Sequence, residues 1–216
     1  PIFNRMSLTR RKFIALSAAS GTAGMLLNTL DAYAKPLEHT KTTAGFGLMI
    51  FATNWGYEGS WDQFCAKIRK LGYDGAEVWY PTHEVARKEF LAAFQKHNLK
   101  FGFLVGGSDR DYQKHLQQFS TSLEGAVALN PVYINCHSGR DHFSVAQNKA
   151  FIDLTTEVNA LTGIPVYHET HRSRILYAAP VARQFMEMIP ELRITLDISH
   201  WCTVHESLLV DQTETV

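Results

Sequence analysis

The feature that most constrains the fold is a short strand-like run followed by an amphipathic stretch, repeated six times along the chain. Each run is rich in β-branched and aromatic residues, and successive runs begin 25 to 33 residues apart. That interval is the length of one strand–helix (βα) unit. The predicted strands are 46–52, 75–80, 100–105, 132–137, 165–171 and 194–198. A strand followed by a helix, repeated in this way, predicts a parallel sheet that is covered by helices.

The stretches between the runs carry apolar residues at helical spacing. The predicted apolar faces are Phe64, Ile68 and Leu71; Val85, Phe90, Leu91 and Phe94; Leu116, Phe119, Leu123 and Val127; Phe151, Leu154 and Val158; and Val181, Phe185 and Met188. Because such residues fall on one side of a helix, each stretch is predicted to pack that side against the sheet. Ser60 and Thr82 are predicted to cap the first two helices, and Gly72 to end the first one.

The near-equal spacing of the units favours a (β/α)8 TIM barrel over a doubly wound sheet. Gly106 and Gly107 follow the third run, but they do not form the GxGxxG loop of a nucleotide-binding sheet. A barrel of eight units needs about 250 residues, which is more than the 216 of this chain. We therefore expect residues 45–216 to form a partial TIM-barrel domain, truncated after about six βα units.

The N-terminal stretch differs in character from the rest of the chain. A pair of arginines, Arg10 and Arg11, precedes a weakly apolar run at 14–30, and a small-residue cleavage pattern follows that run. This stretch resembles a twin-arginine export signal. We interpret 1–34 as upstream residues plus this signal and 35–44 as a short N-terminal segment. The resemblance implies a periplasmic or otherwise exported protein, with the twin-arginine translocase as its partner during export.

The charge balance argues against a polyanionic partner. The chain has 21 basic and 21 acidic residues, and 17 basic and 20 acidic residues remain after residue 34, a formal net charge of −3. Since nucleic-acid-binding domains are normally basic, no nucleic-acid partner is predicted. Three cysteines are too few for a disulfide framework. The composition leaves a homo-oligomer open.

Polar and ionisable residues are concentrated where the predicted strands end, which is where a TIM barrel carries its active site. The candidate site residues are Trp55, His137, Glu169, His171, Arg172, Asp197 and His200. Alternation along the fifth strand puts Glu169 and His171 on one face and His168 on the other, toward the helices. Carboxylates and imidazoles on neighbouring strand ends suit one divalent cation such as Mn²⁺, Mg²⁺, Co²⁺ or Zn²⁺.

Three of these features resemble the xylose isomerase-like sugar phosphate isomerase and epimerase family of TIM barrels. They are Gly72-Tyr73-Asp74-Gly75-Ala76-Glu77 on strand two, Glu169 at the end of strand five, and Asp197-x-x-His200 at the end of strand six. The family includes ketose 3-epimerases, hydroxypyruvate isomerase, inosose dehydratase and the endonuclease IV repair enzymes. The resemblance spans about residues 45–205.

The resemblance implies specific roles. Glu169 would be a metal ligand and one of two acid–base carboxylates, and Asp197 would be a second ligand. His200 would contact substrate oxygens or bind a second metal, and His137 matches a strand-four histidine near metal or substrate. The family's remaining ligands, a histidine on strand seven and a glutamate on strand eight, are expected beyond Val216.

Structural alternatives remain open for each candidate. Glu169 could pair with a neighbouring arginine, Asp197 could cap the following helix, and His137 could be satisfied within the fold. His171 and Arg172 could bind substrate hydroxyls or a carboxylate, or lie in a solvated loop. Glu77 is interpreted as architectural. Trp55, Trp79 and Trp201 could form an apolar wall for a sugar or pack in the core. The remaining histidines, at 39, 83, 97, 115, 142 and 205, are interpreted as surface residues.

The leading hypothesis is a metal-dependent isomerase or epimerase acting on a sugar or polyol. A divalent cation would acidify the C–H beside a carbonyl, and Glu169 or its strand-eight partner would move the proton. One alternative is a phosphodiesterase like endonuclease IV, which the acidic charge and the lack of a histidine at 105–108 disfavour. The other is a non-catalytic or glycoside-acting descendant of the same barrel.

Overall fold

The structure is a computed structural model that describes residues 47–213 and residue 215. The predicted export signal at 1–34, the segment 35–44 and the start of the first predicted strand, Phe46, lie outside the described residues. No helix within the described part of the chain is long and apolar enough to cross a membrane.

Six strands alternate with six helices in the described residues. The strands are β1 (Phe51–Thr53), β2 (Gly75–Trp79), β3 (Lys100–Gly106), β4 (Ile134–His137), β5 (Val166–Glu169) and β6 (Ile194–Thr195). The helices are α1 (Trp61–Lys70), α2 (Glu84–Lys96), α3 (Tyr112–Val127), α4 (Val145–Thr162), α5 (Ala179–Met188) and α6 (Ile198–His205). Each strand pairs in parallel with the next, in the order β1 to β6. The prediction of six consecutive parallel βα units is therefore confirmed.

The register of the sheet decides which side chains share a face. Cys136 pairs with Val105 on one side and with His168 on the other, so these three residues lie on the same face. Asn135 pairs with Leu104 and Tyr167, which lie on the opposite face. Because the pairing is parallel, the carboxyl ends of all six strands lie at one end of the sheet, where the candidate residues were predicted.

The hydrophobic core lies between the sheet and the helices. Phe103 and Val105 of β3 are buried against the apolar faces of the helices. The rings of Phe90 and Phe94 of α2 pack in a tilted arrangement with centroids 4.3 Å apart, and the Phe90 ring centroid lies 5.4 Å from that of Phe103. Burying a side chain of this size stabilises the fold by about 1.5–3 kcal/mol, so this layer holds the helices on the sheet.

Two helix boundaries test the predicted capping signals. Ser60 caps α1 through a capping box with Gln63, as predicted, and Gly72 follows the helix at a positive φ of 85°. Thr82 is not the cap of α2, because that helix begins at Glu84 and its N-cap, His83, makes no side-chain capping bond. The Thr82 carbonyl instead accepts a hydrogen bond from Arg87 Nη1 at 2.6 Å.

Two residues of the predicted apolar faces are exposed. Val85 is 70 % exposed and Met188 is 51 % exposed. Val85 is the second residue of α2 and Met188 is the last residue of α5. Helix ends overhang the sheet, so periodicity that is correct for the middle of a helix overestimates burial at its ends.

The strands that carry the candidate site are shorter than predicted. The structure ends β5 at Glu169, because the chain turns there and His171 N donates to the Glu169 carbonyl at 2.8 Å. It ends β6 at Thr195, and Asp197 already caps α6. His171 and Asp197 therefore lie just beyond the strands, at the carboxyl end of the sheet.

Candidate active site

Glu169 is the centre of the candidate site. Its Oε2 accepts a hydrogen bond from Asn135 Nδ2 at 2.7 Å and another from His137 Nε2 at 2.9 Å. Burial alone would raise the pKa of Glu169, but the hydrogen bonds and the His137 charge outweigh burial and hold the pKa below its usual range. The carboxylate is therefore charged at neutral pH and has one oxygen fixed by two donors on β4.

Three histidines line one side of this carboxylate. The His171 ring lies between the other two, with its centroid 4.5 Å from that of His137 and 3.8 Å from that of His200. Burial lowers the pKa of His171, and the two neighbouring imidazoles lower it further. His171 Nδ1 donates to the Arg172 carbonyl at 2.6 Å. The neutral ring consequently presents its Nε2 lone pair as an acceptor or a metal ligand.

Asp197 both caps a helix and faces this cluster. Its Oδ1 accepts from Ser199 N at 2.9 Å, so the capping alternative from the sequence is correct. Its Oδ2 lies 3.7 Å from His200 Nε2. Although burial raises the pKa of Asp197, the hydrogen bonds from Ser199 leave it below its usual value. Capping uses one oxygen, and the other oxygen points to the cluster.

The backbone of Asp197 is fixed by a buried threonine. The Thr170 hydroxyl accepts from Asp197 N at 2.7 Å and donates to the Asp197 carbonyl at 3.0 Å. Thr170 is fully buried. This pair of bonds joins the chain after β5 to the chain after β6, which brings the two carboxylates of the site together.

The structure brings together five of the seven predicted site residues. We call them the carboxylate–histidine cluster: His137, Glu169, His171, Asp197 and His200. The ligand atoms of Glu169, Asp197 and His200 lie within 4.8 Å of one another, and those of His137, Glu169 and His171 do so as well. Carboxylate oxygens and imidazole nitrogens are donors that Mn²⁺, Mg²⁺, Co²⁺ and Zn²⁺ accept. The donor set therefore fits a divalent cation.

A second carboxyl group, that of Glu77, lies near Glu169 and His137 of the cluster. Burial raises the pKa of Glu77 on β2, and the nearby Glu169 charge raises it further. Hydrogen bonds with Tyr133 and Asn135 lower this pKa, but they do not offset the increase. Gly102 of β3 makes room for this contact, since a Cβ there would lie 2.5 Å from the Tyr133 ring. These contacts agree with the architectural interpretation of Glu77. Tyr133 lies two residues before Asn135, and residues two apart in an extended chain point to the same face. Alternation in the sequence could therefore have identified Tyr133.

His168 supports the site from the opposite face of β5. Its Nδ1 lies 2.5 Å from Ser138 Oγ, and its Nε2 lies 2.7 Å from Thr155 Oγ1 on α4. The Thr155 hydroxyl donates to Ile152 O at 2.8 Å, so it accepts from His168. Burial lowers the pKa of His168 to about 3, which keeps the ring neutral. His168 thus faces the helices, as alternation predicted.

The structure places Arg172 and Trp55 outside the cluster. The Arg172 side chain is exposed, and only its carbonyl contacts a cluster residue, His171. Trp55 is 68 % exposed after β1. The indole beside the cluster is that of Trp79, whose ring meets the His137 ring edge-on at 5.0 Å. Trp201 is fully buried and belongs to the core. The substrate-binding roles of Arg172 and Trp55 stay predictions.

The surface interpretation of His115 is wrong. This histidine is fully buried in α3, where its Nδ1 donates to Asp109 O at 2.8 Å. Burial lowers the pKa of His115, and Arg140 and Arg174 lower it further. His115 precedes Phe119 by four residues, so helical spacing already placed it on the buried face. Exposed His83 and His142 agree with the surface interpretation.

Comparison with known proteins places this geometry in a family. The family described as xylose isomerase-like TIM barrel matches residues 65–215, more than half of the chain. No curated protein matches the chain.

Solved structures show the same fold at low sequence identity. The apo 3-keto-D-glucoside 4-epimerase YcjR from E. coli has 18 % identity and a TM-score of 0.55, with 78 % of this chain and 77 % of that chain covered. A D-allulose 3-epimerase from Methylomonas sp. has 18 % identity and a TM-score of 0.55, covering 76 % and 68 %. The probable 3-DHS dehydratase AsbF from Bacillus anthracis has 16 % identity and a TM-score of 0.51, covering 77 % and 69 %. On the family match and the six-unit parallel sheet, the chain belongs to the xylose isomerase-like TIM barrel family.

Proposed function

We propose that the protein is a metal-dependent isomerase or epimerase that acts on a sugar or a polyol. The observation that carries this proposal is the carboxylate–histidine cluster at the carboxyl ends of β4, β5 and β6, where TIM barrels have their active sites. The comparisons support it, since two similar structures are named as epimerases of a 3-keto-D-glucoside and of D-allulose.

One divalent cation would be held by Glu169, Asp197 and His200, whose ligand atoms lie within 4.8 Å of one another. Two carboxylates this close repel each other unless a cation or a proton lies between them. Both carboxyl groups have pKa values below their usual range, which favours the cation over the proton. When bound, the ion would supply Lewis-acid polarisation of the substrate carbonyl.

Glu169 would remove the proton from the carbon beside the carbonyl. Its Oε2 is fixed by Asn135 and His137, while its Oε1 accepts no hydrogen bond from the residues that the structure describes. The cation would be held through one oxygen of this carboxylate, which leaves the other oxygen to act as the general base.

The surrounding side chains would bind and orient the sugar. His171 Nε2 would accept a hydrogen bond from a substrate hydroxyl, because its Nδ1 is already committed to the Arg172 carbonyl. The half-exposed indole of Trp79 beside His137 offers an apolar surface for a sugar ring. These contacts would hold the reacting C–H near Glu169.

Hydrogen exchange with solvent tests this proposal directly. In D₂O with Mn²⁺, the protein should introduce deuterium beside the carbonyl of D-allulose or a 3-keto-D-glucoside, measured by NMR. Glu169→Gln keeps the size of the side chain and an acceptor for Asn135, so it should fold normally. It should slow the exchange by about 10²–10⁴-fold, the contribution of a general base.

His83→Ala is the matched control, because His83 is exposed and makes no capping bond. It should exchange at the rate of the unchanged protein. Full exchange activity in Glu169→Gln, or exchange of the same rate without a divalent ion, would refute the proposal.

A further inference from the structure

Two arginines hold the loops at the carboxyl ends of β3, β4 and β5. Arg174 Nη1 donates to the Gly107 carbonyl at 3.0 Å and to the Gly139 carbonyl at 3.5 Å. Arg140 Nη2 donates to the Ser108 carbonyl at 2.8 Å. Both guanidinium groups therefore lie at the end of the sheet that carries the carboxylate–histidine cluster.

Most donors of these two guanidinium groups have no acceptor among the described residues. A guanidinium has five N–H donors, and only Nη1 of Arg174 and Nη2 of Arg140 donate to the residues that the structure describes. Arg140 Nε is fully buried and has no hydrogen-bond partner among those residues. Since a buried charged donor without a partner destabilises a fold, Arg140 Nε is the donor here that most needs a further acceptor.

The positive charge of the pair is poorly balanced. Burial lowers the pKa of Arg174 to about 10, and Arg140 contributes in the same direction. The carboxylates that act on Arg174 are Asp141, whose side chain is 40 % exposed, and Glu169, whose Oε2 already accepts two hydrogen bonds. His115 beside the pair is neutral and does not change this charge balance. A ligand that completes this site should therefore carry an anionic group.

We infer that Arg140 and Arg174 bind an oxyanion group of the substrate, so that the substrate is a saccharide bearing a carboxylate or a phosphate. This inference rests on the proposed function, because it assigns the anion to the molecule that reacts at Glu169. The unused Nε and Nη2 edge of Arg174 matches the paired oxygens of a carboxylate or phosphate in a bidentate contact. The nearby Arg140 supplies a second donor to the same group.

Binding titrations with three probes test the inference: D-glucuronate, D-glucose 6-phosphate and D-glucose. At least one anionic probe should bind ten times or more tightly than D-glucose, measured by calorimetry at fixed ionic strength. The tighter of the two identifies the group as a carboxylate or a phosphate. Arg140→Gln and Arg174→Gln should each weaken binding of that probe at least tenfold.

Two further variants separate anion binding from loop structure. Arg174→Lys keeps the charge on a single donor nitrogen but loses the bidentate edge, so it should bind the anionic probe with intermediate affinity. Arg110→Gln changes an exposed arginine of the loop after β3 and should leave every affinity unchanged. If Arg174→Gln no longer unfolds cooperatively, Arg140→Gln and Arg174→Lys provide the test.

Three results would overturn the inference. They are equal affinity for D-glucose and both anionic probes, no binding of either anionic probe, and a loss of affinity in Arg110→Gln equal to that in Arg140→Gln. The proposed function is tested by a different measurement, the deuterium exchange described above. Arginine-dependent binding of an anionic probe by a protein that catalyses no deuterium exchange would retain the anion site and reject the isomerase.

Discussion

At the residue scale, the balance between burial, hydrogen bonds and neighbouring charges decides the charge state of Glu169 and His115. Glu169 stays charged because Asn135 and His137 donate to it more favourably than burial disfavours it. His115 stays neutral because burial and the two nearby arginines lower its pKa more than the hydrogen bond to the Asp109 carbonyl raises it. Similar burial therefore yields an ionised carboxylate at one position and an uncharged imidazole at the other.

The neutral state of His115 makes a pH-dependent contribution to stability. Its pKa in the folded protein lies below the ordinary value of 6.5, so the unfolded chain binds the proton more readily than the folded protein does. The contribution is complete above about pH 6.5 and is lost as the pH falls below that value. His115→Asn keeps a donor for Asp109 O and removes the titration.

Urea unfolding of the unchanged protein and of His115→Asn at pH 7, 6 and 5 measures this contribution. His115→Asn should have a lower free energy of unfolding at pH 7, because it leaves a cavity, and a smaller decline toward pH 5. Parallel curves for the two proteins would show that His115 does not titrate in this way.

The direction in which side chains point was easier to predict from the sequence than the residues that they contact. Alternation along β5 correctly separated Glu169 from His168, because side-chain direction in a strand depends only on position. It named Arg172 as a site residue and not Arg174, and both lie beyond the strand. One partner of Arg174 is Gly107, 67 residues away in sequence, and no local pattern encodes such a contact.

At the element scale, helix caps are the most local of the signals and the easiest to test. Ser60 caps α1 with both bonds of a capping box, whereas His83 at the same position of α2 makes no side-chain bond. Ser60→Ala should lower the free energy of unfolding by about 1 kcal/mol. His83→Ala should change it by less than about 0.5 kcal/mol.

Thermal and urea unfolding of the two variants check this difference. Equal losses in Ser60→Ala and His83→Ala would mean that the capping box does not stabilise α1. The sequence predicted Ser60 correctly from its residue type, and the structure adds Gln63, which completes the box three residues later. It misplaced the start of α2 because Thr82 is also a good capping residue by type, whereas the N-cap is His83, one residue later.

At the scale of the whole molecule, the parallel register assembles the site from distant segments. The repeat of βα units was predictable because it depends on spacing alone. The contacts that complete the site were not, since Asn135 and Glu169 are 34 residues apart and Thr170 and Asp197 are 27 apart. The resemblance identified the two carboxylates, and the structure adds the residues that hold them.

The central claim is that the carboxylate–histidine cluster holds a divalent cation. A ligand that binds only the folded protein stabilises it by about 2.7 kcal/mol at a concentration of 100 times its Kd. Thermal unfolding with and without Mn²⁺ therefore detects metal binding, and it does not require that the substrate be known. Calorimetry on the same samples gives the stoichiometry, which we expect to be about one ion.

The decisive measurement is the increase in Tm that Mn²⁺ causes in the unchanged protein, in Glu169→Gln and in the control His83→Ala. We expect a clear increase in Tm in the unchanged protein and in His83→Ala, and little or none in Glu169→Gln. An equal increase in Glu169→Gln, or no increase in any of the three proteins, would contradict the central claim.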